Sequence, residues 1–136
     1  MTKNTLRWIV ILTLCLAGGC GKTMLRPKGR VVKGGAPFLA KEGEFVRVTF
    51  LPIFSAATKG PADAYAAEVD QETSEFIVSG KDGRGLPPGK YRVGIELDKH
   101  RSDLLKGKFG QDKSPFVFDI DTSTKELVLD LDQMPK

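Results

Sequence analysis

Two acidic pairs, Asp119/Asp121 and Asp130/Asp132, have the spacing at which a strand presents two carboxylates on one face. Such a pair can be offered to a hard cation such as calcium, which draws further oxygen ligands from a tight loop. No such loop stands beside either pair. The same spacing also serves as the solvent face of an amphipathic strand, where charge discourages edge pairing. His100 is the only histidine and lies in Asp98-Lys99-His100-Arg101-Ser102-Asp103. With Ser102 and Asp103 it supplies the residue types of a hydrolytic triad. Consecutive loop residues do not meet in triad geometry, however, and no nucleophile elbow is present. A single histidine also excludes most zinc arrangements, so neither a metal centre nor any other cofactor is expected. The remaining reactive side chains are Cys15 and Cys20, and Cys20 is set apart by what precedes it.

A basic start (Lys3, Arg7) leads into an apolar run from Trp8 to Leu16, then Ala17-Gly18-Gly19-Cys20. As a helix, Trp8 to Gly19 would cover roughly 18 Å of a hydrocarbon core about 30 Å thick, too little to span it. The run matches instead the apolar region of an export signal peptide, with Gly18-Gly19 opening an extended, protease-accessible end. It resembles the bacterial lipoprotein signal, with Leu16 one place further from the cysteine than in the usual motif. That resemblance implies a signal peptide over 1–19, cleavage between Gly19 and Cys20, and palmitate-type acylation of Cys20 through a thioether-linked diacylglycerol. Two or three acyl chains give durable attachment where one gives marginal binding. Gly21, where an aspartate would favour inner-membrane retention, leans toward the outer membrane. The competing expectation is an ordinary secretory signal followed by an incidental cysteine.

Removal of the leader takes Cys15, Lys3 and Arg7 with it. The net charge then falls from +4 to +2, and acylation leaves no thiol for a disulfide or a nucleophile. An excess this small does not imply nucleic acid. Lys22, Arg26, Lys28, Arg30 and Lys33 make a basic segment beside the expected anchor, where each charge could add up to about 1 kcal/mol near anionic headgroups. A solvated tether kept extended by its lysines explains the same residues. Asp119, Asp121, Glu126, Asp130 and Asp132 make the C-terminal end acidic.

Residues 20–28 read as a tether, broken by Pro27 and Gly29, and 29–136 as one small domain. Its dominant period is two. Val46/Val48/Phe50, Tyr91/Val93/Ile95/Leu97, Phe116/Phe118/Ile120 and Leu127/Leu129/Leu131 each alternate with polar or outward residues. Weaker strand signals cover Arg30–Val32, Ala64–Val69 and Glu75–Val78. Turn clusters such as Lys33-Gly34-Gly35, Lys59-Gly60-Pro61 and Gly85-Leu86-Pro87-Pro88-Gly89 separate them, and Asp98 to Lys106 could form a short turn or helix. Seven short alternating strands predict an all-β, seven-stranded antiparallel β-sandwich behind a helical signal peptide, with a closed barrel as the alternative. Tyr91 is expected to point inward with its hydroxyl seeking a partner near the sheet rim, and Gly34-Gly35 to form a hairpin.

Three stretches carry a family resemblance: Gly29-Arg30-Val31-Val32-Lys33-Gly34-Gly35-Ala36-Pro37-Phe38, Val46-Arg47-Val48-Thr49-Phe50-Leu51-Pro52, and Gly85-Leu86-Pro87-Pro88-Gly89-Lys90-Tyr91-Arg92-Val93. They are similar to the carboxypeptidase-regulatory-like, transthyretin-related domains of small bacterial lipoproteins. The hairpin around Asp70 to Val78 departs from that plan, with Thr73-Ser74 where a glycine is expected. Transthyretin relatives that hydrolyse a purine-breakdown product use several histidines and a characteristic C-terminal tetrapeptide. This chain has one histidine and ends Gln133-Met134-Pro135-Lys136.

These motifs speak for a fold and are almost silent on activity. The leading expectation is a non-enzymatic module, membrane-bound through its N-terminal lipid, that faces the periplasm or cell exterior and binds or spaces an envelope protein or polysaccharide. A basic loop (Lys99, Arg101, Lys106, Lys108, Lys113, with Phe109) is a candidate surface for an acidic partner. The alternatives are a small enzyme built on His100 and nearby acids, or a carbohydrate- or calcium-binding module. The only Trp, Trp8, lies in the leader, which weighs against a carbohydrate platform.

Overall fold

A computed structural model describes residues 21–54 and 63–133. The leader, the cleavage point at Gly19 and Cys20 lie outside the described residues, as does the Lys59-Gly60-Pro61 turn. The described chain is all-β, with strands β1 (Lys28–Lys33), β2 (Ala36–Pro37), β3 (Phe45–Pro52), β4 (Tyr65–Val69), β5 (Glu75–Val78), β6 (Gly89–Lys99), β7 (Ser102–Asp103), β8 (Val117–Ile120) and β9 (Leu127–Asp130). Every expected strand segment is present. The two additional elements, β2 and β7, are two-residue arms folded back from β1 and β6.

The longest ribbon is β3 against β6, registered from Phe45 opposite Asp98 to Pro52 opposite Tyr91. Alternation decides its inner face: Val46, Val48 and Phe50 from β3 meet Tyr91, Val93, Ile95 and Leu97 from β6, all buried. From this ribbon the sheet runs continuously through β4 and β5 to β1, with β8 on the far side of β6 and β9 on the far side of β1. It curls as it goes, so both halves turn their apolar faces onto one core. Phe50 and Phe76 meet across it with ring centroids 6.1 Å apart. Every pairing is antiparallel except β1 with β9, which run parallel from Gly29 opposite Leu127 to Val32 opposite Asp130. This parallel pair departs from the all-antiparallel expectation. Strand periodicity fixes which residues face inward and leaves strand direction open.

The local devices have clear causes. Gly34 and Gly35, at φ 61° and 77°, supply the left-handed pair that a two-residue hairpin between β1 and β2 requires. Tyr91 is 2% exposed, and its hydroxyl donates to the Pro87 carbonyl at 2.6 Å. The Pro87-Pro88-Gly89 entry thus ends directly over the ring it precedes. Tyr65 packs edge-on against that ring at 6.0 Å. Ser74 adopts φ 58° while fully buried, the conformation for which glycine is the easier residue. Its hydroxyl donates to the Phe38 carbonyl, which a glycine could not do.

Part of the stretch read as a tether is hydrogen-bonded to the sheet. Leu25 exchanges both backbone hydrogen bonds with Leu86, at 2.7 and 2.8 Å, and the Pro27 carbonyl accepts from Val78 N–H at 2.9 Å. Gly21 to Met24 are exposed.

Gly29 sits between β5 and β9 where an added Cβ would collide with the Phe76 ring and the Leu127 carbonyl. Gly29→Ala is therefore expected to destabilise the domain by about 1–3 kcal/mol, read as a lower urea midpoint at unchanged m-value. Burial pushes the Tyr91 phenol up to about 12. The unfolded chain binds this proton less tightly than the folded one, so stability should fall as pH rises from about 10 toward 12. Ultraviolet titration should show Tyr91→Phe removing an ionisation near pH 12.

Candidate functional site: an apolar cleft with a lysine rim

The C-terminal ends of β1, β6 and β9 converge on an open cleft of about 540 Å³, walled by twelve residues. Two loops make its sides. The first runs from β2 to β3 and brings Phe38, Leu39, Lys41 and Glu44. The second follows β6 and brings Leu104, Leu105, Lys108 and Phe109; Leu97, Leu131, Lys33 and Asp132 complete the wall.

Both loops are held by local hydrogen bonds. Asp103 accepts from the backbone N–H groups of Leu97 (3.1 Å), Leu105 (2.9 Å) and Gly107 (2.8 Å), using both carboxylate oxygens. This fixes the turn that aims Leu104 and Leu105 at the cleft. On the other side Phe38 N–H donates to the Val31 carbonyl at 3.0 Å, and the Ser74 hydroxyl donates to the Phe38 carbonyl. Phe109 is buried against Phe116 in a stacked pair at 5.8 Å, and the Lys108 ammonium lies 5.1 Å from the Phe109 ring centroid. Leu39 and Leu104 remain 56% and 44% exposed at the lip, a concentration of apolar surface that marks binding clefts more often than bare solvent-facing loops.

The charge on the rim is unbalanced. All 17 Asp and Glu residues of the chain lie in the described segments. Among the described residues their ion pairs are Arg30–Glu126, Arg47 with Glu96 and Asp98, Lys81–Asp63 and Lys99–Glu44. Lys33, Lys41 and Lys108 therefore have no carboxylate side chain within ion-pair distance. The two acids on the wall are already engaged. Glu44, its side chain only 9% exposed, meets Lys99 at 3.6 Å and accepts from Lys41 N–H at 3.1 Å. Asp132 accepts from Gly34 N–H at 2.6 Å. At the opposite end of β1 a wider hollow beside Arg26, Lys28 and Gly29 mixes both signs of charge, with Glu68, Asp70, Glu75, Glu126 and Lys125 also lining it.

The residues singled out in the sequence fall in different places. His100 and Arg101, at φ 50° and 68°, are the two-residue turn joining β6 to β7, and His100 is exposed. Asp98 to Lys106 thus takes a turn form, with no helix. Asp103, the acid of the candidate triad, spends its oxygens on backbone amides, so the arrangement does not assemble a triad. Asp121 accepts from Ser123 N–H at 2.8 Å and from the Ser123 hydroxyl at 2.6 Å, and these bonds hold its carboxyl below the usual range. Asp130 accepts from Asp132 N–H at 2.9 Å. Among the described residues no three His, Cys, Asp or Glu side chains gather as a metal-binding group.

Of the basic loop, Lys108 and Phe109 reach the cleft, while Lys99 is turned to Glu44. Sequence reading missed Lys33 and Lys41 as rim residues and the apolar doublets Phe38-Leu39 and Leu104-Leu105. The doublets were the available signal: paired large apolar residues inside otherwise polar connections.

No protein-family profile, curated protein or solved structure matches this chain.

Asp103→Ala leaves three backbone donors without their acceptor and should cost about 2 kcal/mol or more, while His100→Gly relaxes a left-handed position and should change stability by less than about 1 kcal/mol. Parallel urea melts of the two variants check this contrast.

Proposed function

We propose that this chain is a lipid-anchored, non-enzymatic binding module of the bacterial cell envelope. In this reading residues 1–19 are an export signal, Cys20 carries the acyl chains, and the β-body faces the periplasm or cell exterior, on the outer rather than the inner membrane. Its partner is an envelope component, with no cofactor and no nucleic acid involved.

The observation that carries the reading is the polarity of β1. The chain enters the body at Leu25, five residues after Cys20, and the lysine-rimmed cleft stands at the other end of β1, beside Lys33. Six residues of strand separate the two ends by about 17 Å. A body tethered at its N-terminal end therefore presents this cleft away from the bilayer, where an envelope component can reach it. The engagement of Asp103 in its loop favours a binding role over chemistry at His100.

The finer fold reading is a transthyretin-related sandwich, with β3, β6 and β8 as one layer and β1, β5 and β9 as the other. Three features support it: the hairpin at Gly34-Gly35, the Tyr91–Pro87 bond within Gly85–Val93, and the left-handed backbone at Ser74 where that family's plan carries glycine.

Growth of an expressing bacterium with an alkyne fatty acid should label the protein, and Cys20→Ser should abolish the label and move the protein from the membrane to the soluble fraction. Label retained by Cys20→Ser, or a wild-type protein with an unmodified sulfur or an uncut leader, would overturn the anchor.

A further inference from the structure

We propose that the cleft takes a free single-chain amphiphile with an anionic headgroup. The alkyl chain lies over Phe38, Leu105 and Phe109, and a carboxylate, phosphate or sulfonate sits among Lys33, Lys41 and Lys108. The inference rests on the binding-module reading and names its ligand class.

Size separates a small ligand from a protein. Standard protein interfaces engage about 20–30 residues a side, whereas this cleft is walled by twelve. Its volume, about 540 Å³, falls inside the roughly 300–1,000 Å³ range of small-molecule sites. The composition also fits: an apolar floor with a few polar groups at one margin, which fix orientation.

Charge then selects the headgroup. Among the described residues the three rim lysines have no side-chain carboxylate partner, while Glu44 and Asp132 are engaged by Lys99 and by backbone N–H groups. An anion entering the rim meets cations that need not first leave another partner. A cationic headgroup would meet three like charges. Lysine stems add apolar wall while their ammonium groups stay in water, which suits a ligand that changes from greasy to charged along its length. With the chain entering the body at the other end of β1, the occupant is a free amphiphile rather than a headgroup still seated in the bilayer.

The test uses the full chain with phosphatidylcholine nanodiscs and a diazirine-bearing dodecyl phosphate, with cross-linked peptides mapped by mass spectrometry. Cross-links should concentrate in residues 38–41 and 104–109. Unlabelled dodecyl phosphate should displace the probe, and dodecyltrimethylammonium should not. Combined Lys33→Glu, Lys41→Glu and Lys108→Glu should cut capture by roughly tenfold. These lysines are exposed, so the variant should keep the wild-type melting temperature. Leu105→Asp, which spoils the floor instead of the rim, should also reduce capture.

Cross-links spread evenly over the chain, equal displacement by the cation, or capture unaffected by the triple variant would overturn the proposal. Displacement by phosphatidylglycerol nanodiscs would reassign the cleft to a bilayer headgroup, and stronger displacement by an acidic leucine-containing peptide would reassign it to a protein. Failure of capture leaves acylation of Cys20 standing, and failure of acylation leaves capture standing, so the two readings fail separately.

Discussion

One strand changes partners half-way along, and the rest of the body depends on it. Tyr65 and Ala66 of β4 pair with β3, while Ala67, Glu68 and Val69 pair with β5. Backbone N–H and C=O groups that would otherwise be orphaned between two separate sheets are thereby satisfied along one continuous path. The sheet must bend at this point, and the bend turns Phe76 of one half toward Phe50 of the other, which itself packs edge-on against Tyr91. A core made by one curled sheet needs no disulfide. It does need every inner position filled, which is why Gly29 is the inward residue under the Phe76 ring: the aromatic ring occupies the volume that a side chain there would have taken.

The edges of this sheet show the other half of the constraint. β8 and β9 are the outermost strands, one beside β6 and one beside β1. Each carries one exposed valine, Val117 and Val128, and each valine has a carboxylate two places away on the same face: Asp119 beside Val117, Glu126 and Asp130 beside Val128. The acidic pairs that suggested a cation site thus lie on the two strands most liable to pair with another chain, where a row of like charge opposes such pairing. Their second members, Asp121 and Asp132, lie just past the strand ends and hold backbone N–H groups in place.

Period-two alternation made the inner faces of β3, β6 and β9 readable, since β3 and β6 have three or more inward apolar residues in register and Leu131 continues the alternation of Leu127 and Leu129 just past β9. The hairpin glycines and the Tyr91 hydroxyl were readable because each has a single physical use. Strand partners were not. Nothing in Leu127-Val128-Leu129 distinguishes a strand that runs parallel to β1 from one that runs antiparallel, because burial of one face is satisfied either way. The cleft was harder still. Its walls come from residues as far apart as Lys33 and Asp132, brought together only when β9 lies beside β1, and loop residues have no period to announce them. Only Lys108 and Phe109 had been grouped in advance, as part of a basic loop. Lys99 of the same group went to Glu44 instead, a contact set by the register of β3 on β6.

That register also explains why the rim stays positive. Phe45 lies opposite Asp98, so Glu44 is carried just beyond the end of β3 to a position beside Lys99. There it is nearly enclosed, and its second oxygen is taken by Lys41 N–H. A carboxylate that might have neutralised Lys41 or Lys108 is therefore held on the β6 side by two bonds. Similarly, Asp132 is held at the β1–β2 hairpin by Gly34 N–H instead of pairing with Lys33. Both restraints arise from turn geometry, independently of any ligand. Lys99 offsets the charge of Glu44, while Asp132 keeps its charge but is fixed at the hairpin, so three ammonium groups face one uncompensated carboxylate. The acids nearest the cleft are occupied, and the ammonium groups around its apolar floor are left to attract an anion across a distance set by screening, about 8 Å at physiological ionic strength.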